Sequence, residues 1–491
     1  MKKSLFGCLF ALLLHVPAGA SNSLWITNVK LVSPERLDMV EPGSVLIEDG
    51  RIVKVMRGAR QRPPAGARRF DGKGYFLTPG LIDSHVHLQS VPGMSFEQMG
   101  EKAKLAQEYY KQLPRSFLYY GYTSVIDLAV FDVGFIDRLR RAPLRPDVFH
   151  CGSPLVLANG YPMSYFPPSQ RFKVFPNFIY DPAQAAAIPA EYAPREHTSA
   201  VDAARAKASG AVCIKTFFEH GFGSQHSLPV MSREVYGEVR KAASANGMTL
   251  VTHANTLEGQ GFAVNGNTDV LAHGMWRWDR LNNEQVLPAE IRAVLDQVIA
   301  KGVGYQPTIQ VLYGLRAYVD PDWLGDPRIR KVVPASLAAW FHTPEGKWFR
   351  QEAAGGESDE DARRGLDVPL RHVRQVVSYL ASKDAKILFG TDTPSAPTYG
   401  NLPGLNGYLE MQNLREAGMT PAQIFKAATI SNARAFGLAA QLGSIEPGKT
   451  ANLLLMRQSP LEDVRAYDTI VTLWVGGKQV EREQLAADHA R

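Results

Sequence analysis

His85-Val86-His87 sets two imidazoles one residue apart at the end of an apolar run. In an extended chain both point to one face, and two neutral imidazoles side by side suit a divalent metal ion. Other residues of metal-binding type stand in the same kind of position. His253 ends Leu250-Val251-Thr252-His253, His273 ends Val270-Leu271-Ala272-His273, and Asp392 ends Leu388-Phe389-Gly390-Thr391-Asp392. Lys215 closes Val212-Cys213-Ile214-Lys215. A lysine on an apolar strand must snorkel, pair or react. Singly, each of these residues is as well explained by a core histidine or an ion pair. As a set they are ligand-type groups at the C-terminal ends of separate apolar segments. A fold that makes those ends converge would build a metal centre.

The segments that must position them are eight short apolar stretches, at 76–82, 124–128, 148–157, 212–217, 249–253, 270–273, 303–309 and 387–390. Helical patterns follow most of them, at 96–112, 135–140, 232–246, 288–301, 366–383 and 421–436. This alternation predicts an α/β fold, a (β/α)8 TIM barrel, over residues 78–440. The span exceeds the ~250 residues of a plain barrel. The excess lies at 159–198, rich in Pro, Tyr and Phe, and at 315–364, which contains Glu357-Ser358-Asp359-Glu360-Asp361. Both follow strand ends on the face where barrels keep their sites, so both are expected as lids or pocket walls. Residues 21–77 and 441–491 read instead as strands with tight turns, Asp49-Gly50 being a hairpin signal. The two chain ends are expected to form one small β-sandwich.

The chain has 491 residues, with 54 Lys plus Arg against 48 Asp plus Glu and a formal charge of +6. Without a basic cluster, that charge gives no nucleic-acid footprint. A composition 45% hydrophobic and 21% charged excludes wholesale disorder. Lys2-Lys3, the apolar run 5–16 and Ala18-Gly19-Ala20 have the three-part layout of a secretory signal peptide, residues 1–20. Cleavage after Ala20 and export to the periplasm or medium are expected. No later stretch reaches membrane-span length. Cys151 and Cys213 lie in apolar, strand-like runs and are expected as buried free thiols, although an exported compartment would permit a disulfide. A homo-oligomer is compatible with all of this.

Thr78-Pro79-Gly80-Leu81-Ile82-Asp83-Ser84-His85-Val86-His87 resembles the strand-1 signature of the amidohydrolase superfamily of metal-dependent hydrolases. Gly390-Thr391-Asp392 resembles its strand-8 motif. Ala428-Thr429 through Ala433, and Leu442-Gly443-Ser444-Ile445-Glu446-Pro447-Gly448-Lys449, resemble its C-terminal segment. The resemblance runs through nearly all the mature chain and is nearest to the branch with prolidases and imidazolonepropionases. It implies two divalent ions, zinc by ligand preference. His85, His87 and Asp392 would hold one, His253 and His273 the other, and a carboxylated Lys215 would bridge them. A hydroxide between the ions would attack a polarised carbonyl, with Asp392 passing its proton to the leaving amine. The implied activity is hydrolysis of an amide-like bond in a small molecule, such as an N-acyl amino acid or a dipeptide. The alternatives are a one-metal cyclic-amide hydrolase or deaminase, in which Lys215 is a bystander, and a metal-binding protein without turnover.

The sequence also departs from that pattern. Asn452 replaces the Asp usual after the Gly-Lys turn. Asn255 stands where prolidase-like relatives often carry Tyr, and Asn159-Gly160-Tyr161-Pro162 stands where they often carry Gly-Gly-His-Gly. The chemistry is therefore expected to carry over better than the substrate. The pocket mouth is expected from Tyr161, Tyr165 and Phe166, from Phe217, Phe218 and His220, from Trp276, Arg277 and Trp278, and from Tyr313. Within it Tyr161, His220, Asn255 and Arg277 are the expected substrate contacts, with Arg277 forking onto a carboxylate.

Overall fold

A computed structural model describes residues 23–58, 62, 65–223, 225–350, 355–395 and 397–489. The expected signal peptide, residues 1–20, lies outside them. The chain begins with strands β1 (Leu24–Ser33), β2 (Arg36–Glu48), β3 (Arg51–Arg57), β4 (Arg68–Asp71) and β5 (Phe76–Pro79). The Asp49-Gly50 turn joins β2 to β3 with both residues at positive φ, 47° and 78°, as a tight hairpin requires. Next come β6 (Leu81–Val86), β7 (Tyr122–Asp127), β8 (Asp147–His150), β9 (Val156–Leu157) and β10 (Phe178–Ile179). They are followed by β11 (Cys213–Phe217), β12 (Thr249–His253), β13 (Val270–Ala272) and β14 (Gly304–Gln306). The chain closes with β15 (Leu453–Met456), β16 (Ile470–Val475) and β17 (Lys478–Glu481).

Strands from both ends join one mixed sheet in the order β17-β16-β15-β5-β1-β2-β3, with β4 beside β1. Ile26, Val45, Leu77, Leu453 and Trp474 share its core. The expected first strand, 76–82, is in fact two. Phe76–Pro79 pairs with β1 and β15, and only from Leu81 does the chain enter the central sheet. Gly80 makes the crossing because a Cβ there would meet Thr123 Oγ1 at 2.0 Å. Its N–H donates to the Asn452 carbonyl at 2.8 Å. Asn452 Nδ2 donates to Asp147 at 2.8 Å, so the residue that departs from the family pattern ties the end sheet to the central one.

The central strands are all parallel. β6, β7 and β8 form one sheet, and β11 to β14 another. Val212 N–H donates to the His150 carbonyl, and Leu155 N–H to that of Lys215, which links the two sheets. Segment 386–393 bridges in parallel to Tyr305 of β14 and to Val86 of β6. Leu388 N–H donates to the Tyr305 carbonyl, and Ser84 N–H to that of Phe389. Parallel segments thus succeed one another from β6 through β14 to 386–393 and back to β6. Asn432 sews that last seam: its Nδ2 donates to the Ile82 and Phe389 carbonyls at 2.8 and 2.7 Å.

Helices pack outside by their apolar stripes. Arg233–Ala245, capped by Ser232, buries Tyr236, Val239, Ala242 and Ala243 at helical spacing. The expected helix 96–112 is instead a short turn, Phe96–Glu101, and a longer helix, Ala103–Tyr119. Ser358 caps the helix Asp359–Ser382, and its first turn is acidic, where the helix dipole favours negative charge.

Cys151 and Cys213 form a disulfide, which corrects the free-thiol expectation. They lie 62 residues apart, but Val212 N–H bonds the His150 carbonyl, so pairing of the two sheets brings the thiols together.

Candidate metal centre and its pocket

The expected ligands converge at the C-terminal ends of the parallel segments. One ligand atom each from His85, His87 and Asp392 lie within 4.8 Å of one another. Asp392 Oδ1 is 2.7 Å from His85 Nε2 and 2.9 Å from His87 Nε2. The His273 ring centroid is 5.0 Å from that of His85 and 4.5 Å from that of His253. Lys215 is buried in the same group, its ammonium 5.5 Å from the Phe217 ring.

The backbone positions these groups under constraint. His273 and Asp392 have φ of 83° and 59°, and Thr308, at the end of the preceding segment, has φ of 46°. Non-glycine residues pay for that conformation, and it concentrates at functional sites. Hydrogen bonds hold it in place. Asp392 N–H donates to the His85 carbonyl at 2.7 Å and Gly274 N–H to that of Pro307 at 2.9 Å. His273 Nδ1 lies 3.0 Å from Thr308 Oγ1. Beneath the cluster, buried Asp83 accepts from His85 N–H and from the Thr391 N–H and hydroxyl. Asp127 accepts from Leu88 and Ala129 N–H groups just beyond His87. Burial pushes these carboxyls up to about 7 and about 6, against their hydrogen bonds.

The donor set fits a divalent cation. Burial, and the nearby Lys215 charge, push His85 down to about 3, so its imidazole is neutral. Both of its ring nitrogens are buried without a hydrogen-bond partner, although Nε2 nearly touches Asp392. Burial also keeps His273 well below the usual imidazole range. Burial works against the Asp392 carboxylate, but His85, His273 and the contact with His87 hold it well below the ordinary value. Burial lowers Lys215 to about 8, with Asp392 opposing. Two neutral imidazoles and a carboxylate, short of hydrogen-bond donors, are what such an ion requires.

Aromatic rings stand against the histidines, fewer of them than the pocket wall expected. Tyr161 lies 5.0 Å from the His253 ring, Phe217 5.6 Å and Phe222 6.3 Å. Trp276 lies 5.1 Å from His273. Segment 159–198 carries its own small core of Met163, Phe172, Phe175 and Phe178, and Tyr161 meets the rings of Tyr165 and Phe217 at 5.7 and 5.6 Å. Other expected wall residues face elsewhere. Phe218 packs on Phe262, Trp278 stacks on His372, and Tyr313 accepts from Arg374. His220 stands apart at the rim, facing Glu258 and the Leu228 carbonyl.

Arg277 and Asn255 meet, but around a residue the sequence reading missed. Arg277 Nη2 donates to Glu219 Oε1 at 2.6 Å and to Asn255 Oδ1 at 3.0 Å. Glu219 Oε2 lies 3.4 Å from His253 Nε2. Burial would raise Glu219, but His253 and Arg277 outweigh it and hold the carboxylate down to about 2. The usable signal was an acid inside the aromatic run Phe217-Phe218-Glu219-His220. A buried carboxylate needs a cationic partner.

The sequence matches the amidohydrolase family over residues 76–271 and 352–480. A stretch of 52 residues is 50% identical to an imidazolonepropionase of Ralstonia nicotianae, covering 10% of this chain and 12% of that protein. Another, of 63 residues, is 36% identical to a dihydroorotase of Methanothermobacter thermautotrophicus, covering 13% and 14%. The chain thus spans well under a quarter of these curated relatives' length. Among solved structures, a Xaa-Pro dipeptidase with bound methionine is similar over 94% of this chain and 100% of its own, at 20% identity and a TM-score of 0.64. That is a likeness of fold.

Proposed function

The chain belongs to the amidohydrolase family, and from that premise we propose that it is a metal-dependent hydrolase of amide-like carbon–nitrogen bonds in a small molecule. The observation that carries this reading is the convergence of His85, His87 and Asp392 within 4.8 Å, with His253, His273 and Lys215 alongside. We read the succession of parallel segments as a (β/α)8 barrel and the sheet from the chain ends as its small β-sandwich partner. Export belongs to the same reading: the disulfide supports an oxidising compartment, as expected for a cleaved signal peptide.

His85, His87 and Asp392 would hold one divalent ion, zinc by donor preference, and His253 and His273 a second, with Lys215 as the carboxylated bridge. Bound metal supplies a water acidified to about pKa 7 and a polarised carbonyl. The chain's own residues do the rest. Asp392 accepts the proton of the attacking water and delivers it to the leaving nitrogen. Burial leaves Lys215 near enough to neutral for its amine to take up carbon dioxide. Tyr161, Phe217 and Trp276 exclude bulk water and bear on the substrate's apolar part.

A second reading, a one-metal cyclic-amide hydrolase or deaminase, is favoured by one fact. Among the described residues, only His85, His87 and Asp392 form a three-ligand group of the usual side chains. A panel of N-acyl amino acids, dipeptides, neutral amides, lactams and lactones separates the readings. Hydrolysis of open-chain amides by metal-loaded protein is expected. Turnover confined to lactams would favour the second reading, and turnover confined to lactones would overturn both.

A further inference from the structure

Glu219 is buried on the loop after β11, where its Oε1 accepts from the Gly221 N–H at 2.9 Å and from Arg277 at 2.6 Å. Arg277 also donates to Asn255 Oδ1 at 3.0 Å and to the Gly221 carbonyl at 3.3 Å, while its Nε is buried without a partner. Its guanidinium lies 5.0 Å from the Phe222 ring, and Phe222 in turn packs against Tyr161 beside His253. Arg277 is therefore matched in charge by Glu219, and both its Nη atoms are bonded within the protein, before any ligand arrives. The other cation against the rings, Lys215, belongs to the metal group. A substrate carboxylate reaching for Arg277 would have to displace a buried, hydrogen-bonded carboxylate, or sit beside its negative charge.

We infer that the Glu219–Arg277 pair sets the substrate class: the pocket takes an uncharged amide with an aryl or other apolar part and discriminates against one carrying a carboxylate near the scissile bond. This rests on the hydrolase reading above, and it replaces the expectation that Arg277 forks onto a carboxylate. Glu219 is the specificity-determining residue, and Arg277 and Asn255 are positioning residues for it.

The test compares N-benzoylglycinamide with N-benzoylglycine, which differ in that charge. Both are measured as kcat/KM with metal-loaded protein, and as binding by calorimetry, on wild type and on Glu219→Gln. Metal content is determined alongside, because Glu219 also faces His253. Wild type should prefer the neutral amide by at least ~10-fold, and Glu219→Gln, which frees the guanidinium, should shrink or reverse that preference by at least ~10-fold. A wild type that prefers the carboxylate overturns the inference. So does a preference that Glu219→Gln leaves unchanged at equal metal content. If the variant does not fold, the wild-type preference decides. If neither compound is hydrolysed, the hydrolase reading is in question, while calorimetry still reads the charge preference.

Discussion

At the scale of the residue, the site depends on keeping ligands neutral or anionic inside the protein. Burial does this for His85 and His273, and the facing imidazoles do it for Asp392. Asp392→Asn keeps the shape but removes the proton acceptor, so kcat should fall by ~10²–10⁴-fold while the protein stays folded. Steady-state kinetics with circular dichroism checks this, and near-normal turnover would remove Asp392 from the proton path. Lys215→Ala should lose at least one ion per chain by elemental analysis, and unchanged metal content would remove the bridge. The ligand residues were legible because each ends an apolar segment, where polar chemistry is out of place. Glu219 was not, since its partner Arg277 is 58 positions away and only folding brings them together. The partners of Arg277 were hidden for the same reason, Glu219 and Asn255 lying 58 and 22 positions away.

At the scale of the element, the strands place the ligands and buried polar caps hold the segments that follow. Glu410, from Leu405–Glu416, accepts from the Ile309 and Gln310 N–H groups at 3.0 and 2.6 Å and so caps the helix Ile309–Arg316 after β14. Burial pushes its carboxyl up to about 8, against those hydrogen bonds. A pKa raised in the folded state means stability that is fully present below the unfolded value, near 4.5, and lost as pH rises through about 8. Wild type should therefore lose ground to Glu410→Gln between pH 5 and 8, by at least about 1 kcal/mol in denaturant melts. A difference independent of pH would show that Glu410 does not titrate in that window. Strands and most helices were legible from their periodicity. The split at Gly80 was not, because 76–82 is one unbroken apolar run whose two halves serve different sheets. The acidic run at 357–361, expected within a lid or pocket wall, starts a helix because Ser358 at its head caps Asp359–Ser382.

At the scale of the whole molecule, two sheets and a covalent tie hold the site's frame. The disulfide joins neighbouring parallel sheets two residues before Lys215. Replacing both Cys151 and Cys213 by Ser should cost about 4 kcal/mol on the loop-closure estimate, seen as a lower midpoint in denaturant. An unchanged midpoint would mean that the bond forms no constraint on the unfolded chain. The proposed export predicts a mature N-terminus at Ser21 by N-terminal sequencing, and an intact Met1 on exported protein would contradict it. The end sheet was legible as strands, but its union through β5 and β15 depends on pairing between residues some 375 apart, which no local pattern encodes. The most direct measurement is to strip the purified protein of metal with a chelator, then titrate zinc back while following hydrolysis of a neutral aryl amide. Activity should vanish on stripping and return in proportion to bound metal up to two ions per chain. Full hydrolysis by metal-free protein would contradict the account.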